Sequence, residues 1–292
     1  MGSALITELK NSFSTLNQRS VFKSSNGAFP AQLRWATYLL VMATWISAGL
    51  FGLYILIFYG GAVPAGRMED WNKALPKLYE THTFWANVGI GAHFAAGGLL
   101  LVLGPIQFIS QFRKRFGFIH RILGRIYIFS ALFAGLGGTA YILAKGTAGG
   151  ALMSIGFGLY GFLMAFCAFQ SYRHARKGSF ALHRSWSIRL FALVIGSWLY
   201  RIEYGFWSLA ANEAGIGRNF DGPFDMVMDF FFYVPNLIVA EFFIRGSVAD
   251  GRTWVRVVAL TGLVLAITFT VVGTFYFVKF YWGPLVAQRL GI

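Results

Sequence analysis

The chain has 292 residues, of which 57% are hydrophobic and only 12% are charged, and its formal net charge is +14. Its mean hydropathy of +0.59 excludes an ordinary soluble domain and is typical of a protein with several membrane-spanning helices. A single cysteine, Cys167, excludes an intrachain disulfide.

Seven apolar stretches follow one another along the chain. Each is about as long as the ~20 residues that a helix needs to cross the hydrocarbon core of a bilayer. They cover residues 33–59, 86–110, 123–144, 150–172, 187–211, 226–244 and 254–280. We therefore expect an all-α, polytopic membrane protein. A tail of residues 1–32 precedes its seven-helix membrane domain, residues 33–280, and a second tail of residues 281–292 follows that domain.

Basic residues accumulate on one side of these stretches. The segments 1–34, 111–125, 171–189 and 245–256 contain 17 of the 25 Lys and Arg residues but two of the 11 acidic residues. The positive-inside rule makes this side cytoplasmic, which predicts a multi-pass protein of the cytoplasmic (inner) membrane with its N-terminus inside and its C-terminus outside. Because the charge lies in short loops at helix ends, we expect anionic lipid headgroups as partners, and no nucleic acid.

Glycines in the third and fourth stretches predict close helix packing. Gly135 and Gly138 lie in the third stretch, and Gly156, Gly158 and Gly161 lie in the fourth. Small residues at these positions allow the backbones of neighbouring membrane helices to approach each other.

Ionisable residues at the depth of the outer leaflet form a candidate polar site. They are His93 in the second stretch, Arg201 and Glu203 in the fifth, and Asp229 in the sixth. Ionisable groups inside a membrane are costly and often mark functional sites. The alternative is a structural ion pair of Arg201 with Asp229 or Glu203, with His93 as a hydrogen-bonding core residue. Glu241 has Arg245 four residues further on, which indicates a local pair.

Two basic loops share a pattern. Residues 117–125 read GFIHRILGR and residues 180–189 read FALHRSWSIR, and each segment follows a basic cluster. Both place an aromatic residue before His-Arg and a further Arg about one turn later. This pattern indicates an internal repeat in which stretches two to five form a four-helix core of two parallel hairpins. The alternative is that two basic loops obey the same charge rule independently.

The repeat would set His120 and His183 on facing helix starts. Two opposed imidazoles suit a bis-His haem b, whereas no other metal site is predicted. Nearby arginines would pair with propionates, phosphates or a quinone headgroup; they are Arg121, Arg125, Arg184 and Arg189. Against haem, both histidines lie at the edge of the bilayer, and contacts with helix ends and lipids are the alternative role.

Several of these motifs together resemble a known family. They are residues 93–98 (HFAAGG), 104–108 (GPIQF), 120–127 (HRILGRIY) and 183–189 (HRSWSIR). Over roughly residues 86–201 the chain resembles the bacterial predicted membrane proteins of domain of unknown function 2306. That family usually reads Arg-Trp-Met after the second His-Arg, where this chain has Ser185, Trp186 and Ser187. The resemblance implies a membrane architecture but no particular activity.

Three functional classes follow from these features. The first is a haem- or quinone-associated membrane electron-transfer protein, by analogy with four-helix b-type cytochromes. The second is an accessory or structural subunit of a larger membrane complex. The third is a small-solute transporter, indicated by the ionisable group and by the expected kinks at Pro105 and Pro235. No P-loop, HExxH or GxSxG motif occurs, so hydrolase and nucleotide-binding activities find no support, and an oxidoreductase role stays open.

Overall fold

The computed structural model of the protein describes residues 31–74, 78–245 and 253–292. These residues form helices joined by short loops, and no β-strand occurs among them. A helix satisfies its backbone hydrogen bonds internally, which is what the bilayer core demands of apolar segments as long as these. The predicted all-α membrane fold is confirmed.

The helices follow the predicted stretches. Their bounds are α1 Ala31–Tyr54 with a π-helical extension Ile55–Gly60, α2 Phe84–Phe108, α3 Ser110–Arg115, α4 Gly117–Lys145, α5 Gly150–Arg176, α6 Phe180–Val194, α7 Gly196–Ala211, α8 Pro223–Phe231, α9 Val234–Arg245, α10 Thr253–Phe277 with a π-helical extension Val278–Trp282, and α11 Gly283–Leu290. A short 3₁₀ helix, Met68–Lys73, lies between α1 and α2.

Within the described ranges, six helical segments are long and apolar enough to cross a membrane. The fifth predicted stretch is absent from these six, and it is divided at Ile195 into α6 and α7. Ile195 keeps helical dihedral angles (φ −69°, ψ −15°), so the interruption is one residue long. The count of seven spans and the parallel-hairpin arrangement therefore stay predictions.

Several helices extend beyond the apolar stretches that predicted them. α4 begins at Gly117 and α6 begins at Phe180, so both His-Arg motifs lie in first turns of helices. The last helix continues to Leu290, through residues that were expected to form a tail. Apolarity marks the part of a helix that meets hydrocarbon, whereas the helix itself continues until its backbone is capped.

The long helices form a closed ring. α1 packs against α2, α2 against α4, α4 against α5, α5 against α6, α7 against α10, and α10 against α1. α8 packs on α5, and α9 packs on α6. Large buried side chains such as Phe51, Met164 and Trp198 fill the interior, whereas Phe133 and Leu143 are exposed on the outer surface that would face lipid.

Glycines allow the closest contacts in this ring, as predicted. A Cβ at Gly135 of α4 would lie 2.7 Å from the carbonyl oxygen of Gly161 of α5. One at Gly138 would lie 3.0 Å from Nδ1 of His93 of α2. Gly158 differs, because a Cβ there would have open space for 4 Å, so its predicted role in packing is wrong.

A buried chain of hydrogen bonds joins α7 to the first and last long helices. Nε1 of Trp198 donates to Oγ of Ser47 on α1, at 2.7 Å. The hydroxyl oxygens of Ser47 and Thr274 lie 2.5 Å apart, and Thr274 of α10 donates to the carbonyl oxygen of Thr270 at 2.6 Å. These bonds fix the seam at which the ring closes.

The two ends of the ring differ in charge. The basic end carries α3, the start of α4, the end of α5 and the start of α6, with the basic residues of segments 111–125 and 171–189. At the opposite end, Nζ of Lys145 lies 2.7 Å from a carboxylate oxygen of Glu80, and Arg289 of α11 lies 3.2 Å from Asp70. The segment after α1, the end of α4 and the end of α11 therefore meet there.

Candidate functional site

His120 and His183 occupy the same position in two helices, the fourth residue of α4 and of α6. The backbone N–H of His120 donates to the carbonyl oxygen of Phe116, and that of His183 donates to Ser179, both at 2.9 Å. The two imidazoles lie within electrostatic range of each other at the basic end. Both imidazoles therefore lie at the same end of the ring, and the facing arrangement stays a prediction.

The surroundings of the two imidazoles differ. Nδ1 of His183 lies 3.0 Å from the carbonyl oxygen of Ser171, so this nitrogen donates a hydrogen bond. The buried Ser171 hydroxyl also lies 2.8 Å from that of Ser187. In contrast, Nδ1 of His120 is buried and has no hydrogen-bond partner in the described chain. One imidazole is fixed to α5, whereas the other has an unsatisfied nitrogen.

Of the four predicted arginines, Arg121 lies near enough to His120 for its charge to act on the imidazole, whereas Arg189 is paired elsewhere. Arg189 forms an ion pair with Glu241 of α9, and its guanidinium lies 4.6 Å from the ring centre of Trp186. Arg121, Arg125 and Arg184 are exposed at the surface of the basic end. The expected pairing of Glu241 with Arg245 falls outside the described side chains, whereas the long-range contact with Arg189 is present. Arg189 and Glu241 lie on different helices and are far apart in the sequence, so the sequence alone did not reveal that they pair.

Sequence reasoning missed two polar side chains, Gln107 and Tyr127, that lie beside one face of α4. Residues 120, 124, 127, 131, 134 and 138 recur every three or four positions, which places them on one helix face. Gln107 of α2 approaches this face at Gly124, and Tyr127 projects from it. Nε2 of Gln107 and the hydroxyl of Tyr127 are buried without a partner among the described residues.

His93 lies beside the same face of α4, towards the opposite end. Its Nδ1 lies 2.8 Å from the carbonyl oxygen of Ala134, so Nδ1 carries the proton of this bond. We call the four side chains His120, Gln107, Tyr127 and His93 the polar track. The 18 residues from position 120 to position 138 correspond to about 27 Å of helix, close to the ~30 Å of the hydrocarbon core.

A cavity of ≈ 20 Å³ lies beside His93 in the middle of the ring. It is lined by His93, Gly97, Leu100, Ala134, Tyr160, Met164, Val194 and Ser197. The Tyr160 hydroxyl donates to the carbonyl oxygen of Leu193 at 3.0 Å. This volume accommodates about one water molecule, so in this conformation the cavity admits only a very small polar species.

Arg201 lies next to this group. Its NH1 donates to the carbonyl oxygen of Ser197 at 2.7 Å, and its guanidinium lies 4.6 Å from the ring centre of Phe51. It is within electrostatic range of His93 and Tyr160. Among the described residues, Arg201 has no carboxylate partner, so the structural ion pair considered from the sequence is not formed. Side chains two residues apart point to opposite sides of a helix, which separates Arg201 from Glu203.

Glu203 and Asp229 do not join His93 and Arg201. One carboxylate oxygen of each is buried and lacks a hydrogen-bond partner in the described chain. Asp229 of α8 packs against α5, where a Cβ at Gly156 would meet its carbonyl oxygen. The predicted outer-leaflet site therefore divides into a His93–Arg201 group and two separate acids, of which Asp229 is buried and Glu203 is half-buried.

Asp225 is a buried acid that sequence reasoning overlooked. Its Oδ1 accepts a hydrogen bond from the Tyr204 hydroxyl at 2.5 Å. Its Oδ2 accepts bonds from the backbone N–H groups of Gly217 and Gly222, at 2.7 and 2.9 Å. Its bond from the N–H of Gly222 is one half of a capping box, and an acidic residue in the first turn after Pro223 is a signal that could have revealed this structural role.

Comparisons with known proteins identify the family. A family model for domain of unknown function 2306, described as a predicted membrane protein, matches residues 90–244. This segment contains both His-Arg motifs, the polar track and Arg201. No curated protein and no solved structure matches the chain. Within the described residues, no group of three or more His, Cys, Asp or Glu side chains could hold a metal ion.

Proposed function

The chain belongs to the predicted membrane proteins of domain of unknown function 2306, and we propose that it transports a small anion across the membrane. We further propose that the protein lies in the cell's inner (cytoplasmic) membrane with its basic end facing the cytoplasm, its N-terminus inside and its C-terminus outside. The one-sided surplus of Lys and Arg supports this orientation. The same charges favour contact with anionic lipids on that side.

The main support for anion transport is the position of Arg201 without a carboxylate partner among the described residues. Arg201 is half-buried, and a guanidinium that is partly removed from water inside a membrane is costly and is normally balanced by a carboxylate. Arg201 has no such partner in the described chain, and its NH1 donates instead to the carbonyl oxygen of Ser197, a residue that lines the central cavity. A small anion would supply the missing negative charge and accept hydrogen bonds from the guanidinium.

The polar track extends this site towards the basic end. Each buried polar group without a partner costs roughly 1–3 kcal/mol, so an array of them is not explained by stability. Nδ1 of His120, Nε2 of Gln107 and the Tyr127 hydroxyl are such groups. They lie beside positions 120 to 127 of α4, about 10 Å of helix, and offer successive hydrogen bonds to a solute that enters from the basic end.

Flux measurements on purified protein in liposomes test the proposal. The probes are chloride, nitrate, formate and phosphate, each supplied as its potassium salt with valinomycin present to balance the charge. We expect flux of at least one of these anions above that of empty liposomes. Arg201→Gln should lower this flux about tenfold, whereas Arg201→Lys should retain more of it because the charge remains.

Arg218→Gln is the matched control, because Arg218 is an exposed arginine in the loop after α7. Its flux should equal that of the unmodified protein. Melting curves establish that each variant is folded before flux is compared. Flux of none of the four anions, or equal flux in folded Arg201→Gln, would contradict the proposal.

A bis-His haem b is the second candidate function, and the equivalent positions of His120 and His183 support it. A haem-ligating histidine usually donates its other ring nitrogen to a backbone carbonyl, as Nδ1 of His183 does to Ser171. Purified protein should then show a Soret band that His120→Ala and His183→Ala each abolish. Loss from only one variant would exclude ligation by this pair.

A further inference from the structure

Asp70 is the centre of a cluster of cations at the opposite end of the ring. Its Oδ1 lies 2.8 Å from Nζ of Lys73. Its Oδ2 lies 3.2 Å from Nε of Arg67 and 3.2 Å from NH1 of Arg289. One carboxylate thus faces three cations, and two positive charges remain without a counter-charge in this cluster.

Arg289 is the buried member of the cluster. Its side chain is only 9% exposed, compared with 60% for Arg67 and 46% for Lys73. NH1 is used by Asp70, but Nε and NH2 are buried and bind no acceptor within the described residues. A guanidinium presents five N–H donors and no acceptor, so these groups can be satisfied only by an electron-rich partner.

A small space lies against these unsatisfied donors. A cavity of ≈ 10 Å³ is lined by Phe58, Arg67, Asp70, Lys73, Leu285, Gln288 and Arg289. Gly61 keeps the adjacent side open, since a Cβ there would lie 3.4 Å from Nε of Arg289. The space accommodates about one water-sized body, which fits a monatomic anion or a single anionic oxygen of a larger group.

We propose that Arg289, Arg67 and Lys73 form a binding site for a small anion, with a halide or one phosphate oxygen as the bound species. The buried guanidinium provides fixed donors, and the two exposed side chains adjust around the anion. The same chemistry is available from free chloride and from the phosphate of a lipid headgroup. The site is separate from Arg201 and does not depend on anion transport.

Thermal unfolding of the full chain in lipid-free detergent tests this site. Chloride replaces gluconate at constant ionic strength, and we expect a saturable rise of Tm with chloride concentration. A second arm compares nanodiscs of phosphatidylglycerol with nanodiscs of phosphatidylcholine in gluconate, and additional stabilisation by phosphatidylglycerol over phosphatidylcholine identifies a headgroup as the source. Either response supports the site, provided that Arg289→Gln removes it.

Two further variants keep the result decisive if Arg289→Gln fails to fold. The double variant Arg67→Gln/Lys73→Gln changes exposed side chains only, and its half-saturating chloride concentration should rise about tenfold. Arg218→Gln, at an exposed position away from the cluster, should respond like the unmodified protein. Absence of any response to chloride or phosphatidylglycerol, or an unchanged response in the double variant, overturns the assignment.

Discussion

Replacing Gly135 by alanine tests the contact between α4 and α5 directly. The added Cβ would lie 2.7 Å from the carbonyl oxygen of Gly161, whereas an ordinary contact begins at 3.4 Å. The helices must therefore separate by about 0.7 Å (3.4 − 2.7), and overpacking of this kind costs about 1–3 kcal/mol. The backbone oxygen cannot rotate away, so little of this cost can be avoided.

Gly158→Ala provides the comparison. A Cβ at Gly158 meets nothing within 4 Å. The only effect of this substitution is then the higher helix propensity of alanine, which stabilises the protein by up to about 1 kcal/mol. The two alanine variants should then differ by about 2 kcal/mol. That difference corresponds to about 4–8 °C in Tm for a chain of this size.

Melting of both variants in the same detergent, followed by intrinsic tryptophan fluorescence, measures this difference. Gly135→Ala should unfold at a lower temperature than the unmodified protein, and Gly158→Ala at the same or a higher temperature. Equal melting of the two alanine variants would refute the close packing of α4 on α5.

Three other predictions concern charge and orientation. Arg189→Ala should lower the free energy of unfolding by about 1–3 kcal/mol, and Glu241→Ala added to it should cost little more, as a double-mutant cycle in detergent would measure. A hydrogen bond from Lys73 lowers the pKa of Asp70 most, and the positive charges of Lys73, Arg67 and Arg289 lower it further. Asp70 therefore contributes stability above about pH 4 that is lost as the pH falls through its folded-state pKa, and Asp70→Asn should abolish this loss in melts from pH 6 to pH 3. A reporter active only in the cytoplasm should give a signal when inserted within residues 173–177 and none when fused after Ile292; the reverse pattern would contradict the proposed orientation.

The helices could be predicted from the sequence because the length of an apolar stretch is a local property. The interruptions of helices were harder to predict. The break at Ile195 has no proline, and it lies beside Gly196, where a Cβ would come 3.1 Å from the carbonyl oxygen of Phe232. Such an approach between distant segments leaves no local signature, so the sequence alone predicted one continuous helix.

The sequence identified most residues of the candidate site, but it did not show which of them lie together. The equal positions of His120 and His183 follow from a repeated motif, which sequence comparison within one chain can detect. The partner of Arg189 and the isolation of Arg201 depend on which helix faces turn inward, and that is decided by packing. Gln107 and Tyr127 were missed because uncharged polar residues are unremarkable in a membrane helix until their hydrogen bonds are counted.

The hydrogen-bond chain from Trp198 through Ser47 to Thr274 has a consequence for biogenesis. The first two residues enter the membrane before α10, which carries Thr274, has been synthesised. Until then the ring has an open side, and the Ser47 hydroxyl and Trp198 lie where lipid or the insertion machinery can reach them. The ring can therefore close only after α10 has been synthesised, and chains truncated before α10 expose a polar seam to the bilayer.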